Sequence, residues 1–246
     1  MTDSPQTLEG WVSIRACLVS GSREVYEVLL QRGKGSRLAA LEKRAKEKRV
    51  PLRYVSADEL EHYTSGSTHG GAVALVGPRR FADLATLGQG PQAAFLAMLD
   101  GVEDPYNFGQ AVRALHAAGA HGLVVRERNW TTAAATVARA SAGASEFLPM
   151  AVATSDEELV TLLKHRDIRL VCTDLSDKAT SLYGADLTSP LLVVVGGEKR
   201  GVSRTLLSNA DLVVEIPYGR NFKQALGTTP AASVIAFEVL RQRRYA

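Results

Sequence analysis

Cysteine is scarce in this chain of 246 residues, with only Cys17 and Cys172 present. They lie far apart and fit no ligand spacing, which argues against a zinc ribbon or a disulfide framework. Two reduced, buried thiols in a reducing compartment, the cytoplasm, are expected instead. Long apolar runs are missing as well: none approaches the roughly 20 residues that span a bilayer, so no membrane partner is expected. The opening MTDSPQTLEG has neither a basic n-region nor an apolar h-region, so no secretory leader is read there. His62, His69, His116, His121 and His165 show no metal spacing, and no metal is expected. The common phosphate loops are absent too. GGEKRG at 196–201 is neither G-x-G-x-x-G nor G-x-x-x-x-G-K-[ST], since Val202 and Ser203 follow Gly201. A carboxylate inside that loop, Glu198, would repel a phosphate but tolerate a cationic or sulfonium ligand, or orient a hydroxyl.

What remains is an ordinary globular composition, with 46% hydrophobic and 22% charged residues. The net charge of +3 is unevenly placed: residues 1–80 carry 13 Lys/Arg against 9 Asp/Glu, and the remainder is close to balanced. A polyanion partner for the N-terminal third fits this excess; a solvated helix face over ALEKRAKEKR (40–49) fits it equally well.

Strand-like and helix-like segments alternate along the chain. Residues 24–31, 50–56 and 70–77 read as strands, and 37–49 and 57–64 as helices, giving a small α/β domain over 1–81. Residues 82–92, with two glycines and a proline, read as a linker. A second α/β series occupies 93–246. Its strands at 93–100, 121–127, 168–175, 190–198 and 210–217 are nearly continuous apolar runs, which predicts a parallel sheet covered on both faces. Ligands of such sheets bind in loops at the carboxyl ends of the strands. The candidate loops are therefore 101–107, 173–176, 196–201 and 217–227.

In the first of these, Pro105 sets a turn and Asn107 reads as the N-cap of a helix whose apolar stripe is Phe108, Ala111, Val112, Leu115 and Ala118. Arg113 falls off that stripe, and taken alone it reads as a solvated arginine before a functional one. In the last, Thr229 reads as a cap with Pro230 at the first helical position, and small residues follow. GRNFK (219–223) offers two charges and a ring to RNA, or simply an exposed loop.

Taken together, the order DGVEDPYNFGQAVR, VVVGGEKRGVS and IPYGRNFKQALGTTPAA resembles the SpoU (TrmH-like) family of RNA ribose 2′-O-methyltransferases, part of the SPOUT superfamily. The resemblance spans roughly residues 93–243. GWVSIRACLVSGSREVYEVLL and THGGAVALV are similar to that family's small substrate-binding domain, though Gly70 stands where the family usually has Gln.

The resemblance implies a C-terminal parallel-sheet SPOUT domain with a deep trefoil knot, preceded by the small α/β domain. It implies a homodimer that completes its site from both subunits. S-adenosylmethionine would sit in the knot on Gly196, Gly197, Gly201, Ile216, Pro217, Tyr218 and Leu226, with Thr173 and Asp174 closing the adenine side. The expected reaction is methyl transfer to a ribose 2′-hydroxyl of structured RNA, ribosomal before transfer RNA. Asn107, Arg113 and Glu198 occupy the catalytic motif positions. A guanidinium, with a pKa above roughly 12, is a poor base. Clamping a phosphate is the physically easier task for Arg113, with Asn107 and Glu198 orienting the loop and the arginine. Candidate RNA contacts are Arg15, Arg23, His69, Arg220 and Lys223.

The last motif departs from the family pattern. Ala225 and Gly227 stand where Ser and Asn are usual, with Leu226 retained, and Thr228 and Thr229 follow as possible replacements. The alternative is therefore a non-catalytic RNA-binding or ribosome-assembly protein on the same fold. Retention of Asn107, Arg113 and Glu198 together favours the enzyme.

Overall fold

The computed structural model describes residues 5–64, 69–126, 133–176, 178–222 and 224–245. The chain divides into two compact units, 1–80 with 129–147, and 81–128 with 148–246.

The first unit opens with β1 (Gln6–Glu9), α1 (Trp11–Ser20), β2 (Val25–Gln31), α2 (Gly35–Glu47), β3 (Leu52–Val55), α3 (Ala57–Glu61) and β4 (Ala72–Val76). Its four strands lie in the order β1-β4-β2-β3, with β2 and β3 parallel and the other pairs antiparallel. Burial of Leu38, Leu41 and Ala45 at helical spacing docks α2, while Lys43, Lys46 and Lys48 stay exposed. Most of the basic run is thus the solvated face of an amphipathic helix, and Lys46 pairs with Glu42 along it.

The second unit begins with β5 (Phe95–Asp100), α4 (Pro105–Ala117) and β6 (Gly122–Arg126). The chain then supplies α5 (Ala134–Ala140) and α6 (Ala144–Phe147) to the first unit. The small-residue run TTAAATVARASAGA (131–144) reads in the sequence as one helix. Instead Ala142 and Gly143 adopt φ of 50° and 81° and end α5. A Cβ on Gly143 would lie 2.8 Å from the Ala16 side chain and 3.1 Å from the Val12 carbonyl. The break lets the chain pass tightly against α1. Beyond it, Glu146 is buried and accepts from Ser22 Oγ at 2.6 Å and from Arg23 Nε at 3.1 Å.

The second unit resumes with β7 (Met150–Ala153), α7 (Asp156–His165), β8 (Arg169–Thr173), β9 (Thr180–Ser181), β10 (Leu191–Gly196), α8 (Arg204–Ser208), β11 (Leu212–Glu215) and α9 (Thr228–Tyr245). Its seven strands run in the order β7-β6-β5-β10-β8-β11-β9, and every pair is parallel. The apolar strands are buried on both faces, as their composition requires: every residue of β5 is below 9% exposure. β10 lies between β5 and β8, so Asp100, Gly196, Thr173 and Glu215 end four adjacent strands on one side of the sheet. At the opposite end, Arg243 of α9 donates to the carbonyls of Ala93, Ala94, Leu187 and Ser189 and pins the entry to β5 and the turn before β10. No described helix is long and apolar enough to cross a membrane.

Candidate active site at the carboxyl ends of the parallel strands

A cavity of about 760 Å³, counting the part open to solvent, occupies the carboxyl ends of β10, β8 and β11. Thr173, Asp174, Gly196, Gly197, Gly201, Ile216, Tyr218 and Leu226, eight of the positions expected to hold a methyl donor, line it. Pro217 does not; it is exposed. Val195, Val214, Ala231 and Ile235 complete an apolar floor, Leu175 and Glu215 stand beside it, and the exposed Ala225 lies at the rim. Three carboxylates, Asp174, Glu198 and Glu215, line the cavity, and no lysine or arginine does so among the described residues. Such a lining repels phosphate and attracts a cation.

The glycines here have a steric reason. Gly197 N–H donates to the Asp100 carbonyl at 2.7 Å, and Gly201 N–H donates to the Gly197 carbonyl at 2.9 Å. A Cβ on Gly197 would lie 2.4 Å from the Gly101 carbonyl oxygen, and one on Gly196 would lie 2.6 Å from the backbone of Gly201. Only bare backbone permits the loop to fold on itself and on the end of β5. Thr173 Oγ1 accepts from Gly196 N–H at 3.3 Å, and the Tyr218 hydroxyl accepts from Leu226 N–H at 3.0 Å, folding the 217–226 loop back over its own base.

Two hydroxyls join the last motif to the others. The buried Thr228 donates to the Gly196 carbonyl at 3.2 Å, and Thr229 donates to the Asn107 carbonyl at 3.1 Å. The helix α9 begins at Thr228, so Thr229 lies inside its first turn and does not cap it. Asn107 likewise is not a cap: Asp104 caps α4 by accepting from Asn107 N–H at 2.7 Å, with Pro105 at the first helical position. The side chains of both residues are thereby free for other contacts. A second, smaller cavity adjoins this corner, lined by Gly101, Val102, Glu103, Asp104, Asn107, Glu198, Lys199 and Thr228. Glu198 alone among the described residues lines both cavities.

Arg113 is exposed on α4 and lines neither cavity. It lies six residues beyond Asn107, a rise of about 9 Å along the helix. No ion pair joins it to Glu198 among the described residues, so the expected orienting of Arg113 by Glu198 has no direct contact behind it within one chain.

The expected RNA contacts separate into three groups. Arg15 and Arg220 are exposed. Lys223 lies outside the described residues. Arg23 and His69 are corrected: Arg23 is 5% exposed and bound to Glu146 and Gln6, and His69 is 7% exposed with Nδ1 accepting from Gly71 N–H. Residues so committed have no surface to offer a phosphate.

One functional cluster escaped the sequence reading. The buried Asp100 accepts from Arg126 Nε at 3.1 Å and from Ser203 N–H at 2.9 Å. Asp156 accepts from Ser203 Oγ at 2.6 Å and pairs with Arg126 at 2.5 Å. Burial works against the Arg126 charge, but Asp100 and Asp156 hold its pKa above the usual range. This network clamps the end of the 196–201 loop to β5 and β6. Its one sequence signal was a carboxylate ending an otherwise apolar strand, which asks for a buried partner.

Comparison with known proteins agrees with this geometry. The sequence profile of the SpoU rRNA Methylase family matches residues 94–237, and that of RNA 2′-O ribose methyltransferase substrate binding matches residues 7–82. An uncharacterised tRNA/rRNA methyltransferase of Mycobacterium avium is 32% identical over 99% of this chain and 79% of its own. A putative TrmH family tRNA/rRNA methyltransferase of Bacillus subtilis, YacO, is 32% identical over 81% of this chain and 80% of its own. Among solved structures, the SpoU methyltransferase AviRb of Streptomyces viridochromogenes in complex with AdoMet superposes with a TM-score of 0.83 at 24% identity, covering 99% of this chain and 92% of that one.

Proposed function

The chain belongs to the SpoU rRNA methylase family, and from that premise we propose that it transfers a methyl group from S-adenosylmethionine to a ribose 2′-hydroxyl of structured RNA, ribosomal before transfer RNA. The observation that carries this reading is the lining of the larger cavity: an apolar floor, three carboxylates and, among the described residues, no basic side chain. That chemistry suits a flat adenine and a positively charged sulfonium, and disfavours a nucleoside phosphate.

Val195, Val214, Ile216, Leu226 and Ile235 would hold the adenine, and the folded-back glycine loop would read its edge with backbone groups. Asp174 and Glu215 would bind polar groups of the donor. When bound, S-adenosylmethionine supplies an electrophilic methyl group. The smaller cavity beside it would take the ribose, with Asn107 holding a hydroxyl in line. Arg113, exposed on α4, would clamp an RNA phosphate. Because it lines neither cavity of a single chain, its natural place is at a site completed by a second copy, in a homodimer. Placement of β10 between β5 and β8 supports the knotted path expected for the C-terminal segment. Arg15 and Arg220 remain candidate RNA contacts.

Radiolabel transfer from S-adenosylmethionine to unmodified ribosomal and transfer RNA transcripts tests the proposal. Label on ribose supports it. Donor binding with no transfer to any RNA supports the non-catalytic alternative.

A further inference from the structure

We propose that Phe222 is a stacking platform for the base of the methylated nucleotide, so that this site takes a nucleotide from a loop, bulge or single strand of RNA and not one held in a duplex. This rests on the methyltransferase reading above and adds to it the conformation of the RNA and a residue that selects it.

Three observations carry it. The first is exposure: Phe222 is 57% exposed, more than any other phenylalanine of the chain. Exposure alone decides nothing, since single apolar side chains are common on protein surfaces. The second is anchoring. The Phe222 ring lies 6.1 Å from the Tyr218 ring, centre to centre, at an angle of 47°. Tyr218 is itself tied down, its hydroxyl accepting from Leu226 N–H at 3.0 Å. Tyr218 and Leu226 line the larger cavity, whereas Phe222 does not. The ring is thus held against the cavity wall from outside, where it meets what arrives from solvent and not the donor within.

The third is the division of charge. Residues 216–237 contain no acid, and their charges are Arg220 and Lys223 alone. Arg220 is exposed, and so are Asn221 and Gln224 on either side of the ring. The cavity below carries Asp174, Glu198 and Glu215. A cation is favoured inside and a polyanion across the rim. A flat ring for the face of a base, a guanidinium for its phosphate and amides for its edge are the means by which unpaired RNA is read. A base stacked within a helix has no face to give Phe222. One lifted from its neighbours recovers on the ring part of the stacking it has lost, and its ribose is free to turn the 2′-hydroxyl toward the donor.

The test compares wild type, Phe222→Leu and Phe222→Tyr on unmodified ribosomal and transfer RNA transcripts, with the methylated nucleotide mapped. Transfer is then repeated after a complementary RNA oligonucleotide has been annealed over that nucleotide. Donor affinity by calorimetry, melting temperature and mass by light scattering are measured beside it. The mapped nucleotide should be unpaired, and annealing should slow transfer about tenfold or more. Phe222→Leu keeps an apolar side chain and removes the π-face. It should raise KM for RNA about tenfold and leave kcat at saturating RNA, donor affinity, melting temperature and mass unchanged, while Phe222→Tyr stays within about threefold of wild type. A mapped nucleotide inside a duplex overturns the proposal, as does a Phe222→Leu KM within about threefold of wild type or a Phe222→Tyr as weak as Phe222→Leu. Donor affinity lost in step with KM would make the ring a cover for the donor, and a changed mass would make it a contact between copies; either overturns the proposal and leaves the methyltransferase reading intact. Wild type that methylates no transcript overturns both.

Discussion

Thr229 Oγ1 donates to the carbonyl of Asn107 at 3.1 Å, joining residues 122 positions apart in the chain. With Thr228 bound to Gly196, it makes the start of α9 a bracket between the glycine loop and α4. The two hydroxyls supply polar ties in the motif that otherwise carries Ala225 and Gly227. Thr229→Val keeps the shape and removes the bond. It should cost about 0.5–1.5 kcal/mol in urea unfolding. It should also slow methyl transfer more than that loss explains, because Asn107 loses its register. An unchanged rate would make the bracket purely structural.

Arg113→Ala should abolish transfer and leave the fold intact, since the side chain is exposed. The melting temperature and the oligomeric state, measured beside radiolabel transfer, separate the two effects. Retained activity removes Arg113 from the mechanism.

Arg243 reaches four carbonyls with one planar fork, a task lysine cannot copy. Arg243→Lys should therefore lower stability by about 2–3 kcal/mol, read by chemical denaturation. A loss below about 0.5 kcal/mol would reduce this clamp to a surface interaction.

His121 gives the pH dependence a definite sign. Its Nδ1 accepts from Phe95 N–H at 2.9 Å, which requires an unprotonated nitrogen. Burial, and then the charge of Arg243, push its pKa below the ordinary value of 6.5. As pH falls below about 6.5, the unfolded imidazole takes up a proton that the folded one resists. Stability from this group is thus complete above that pH and declines as pH drops toward the folded value. His121→Asn, which keeps an acceptor for Phe95, should flatten this part of the stability–pH curve.

Much of the fold was legible because the apolar strands of the second unit are short, continuous and punctuated by glycine or proline. Strand–helix alternation combined with strands apolar throughout pointed to the parallel sheet; the same alternation in the first unit ended in a mixed one. Four of the bends read from motif order, at Thr173, Gly196, Ile216 and Leu226, do line one cavity. What the sequence hid was partnership across long separations. Nothing local to Arg23 announces Glu146, 123 residues away, so a buried ion pair read as a free cation. The Asn107 and Thr229 caps were misplaced for a local reason: Asp104, three residues earlier, caps α4, and α9 already begins at Thr228. The Arg126–Asp100–Asp156 network was illegible because its three members lie on separate elements, β5, β6 and α7, far apart in the chain.

The most direct measurement is a calorimetric titration of the full chain with S-adenosylmethionine, run beside Ala225→Trp, which should fill the cavity from its rim. One donor per chain at micromolar affinity, lost in the tryptophan variant while its circular dichroism is unchanged, is the predicted outcome. No heat at millimolar donor, or equal binding by both proteins, would contradict the account.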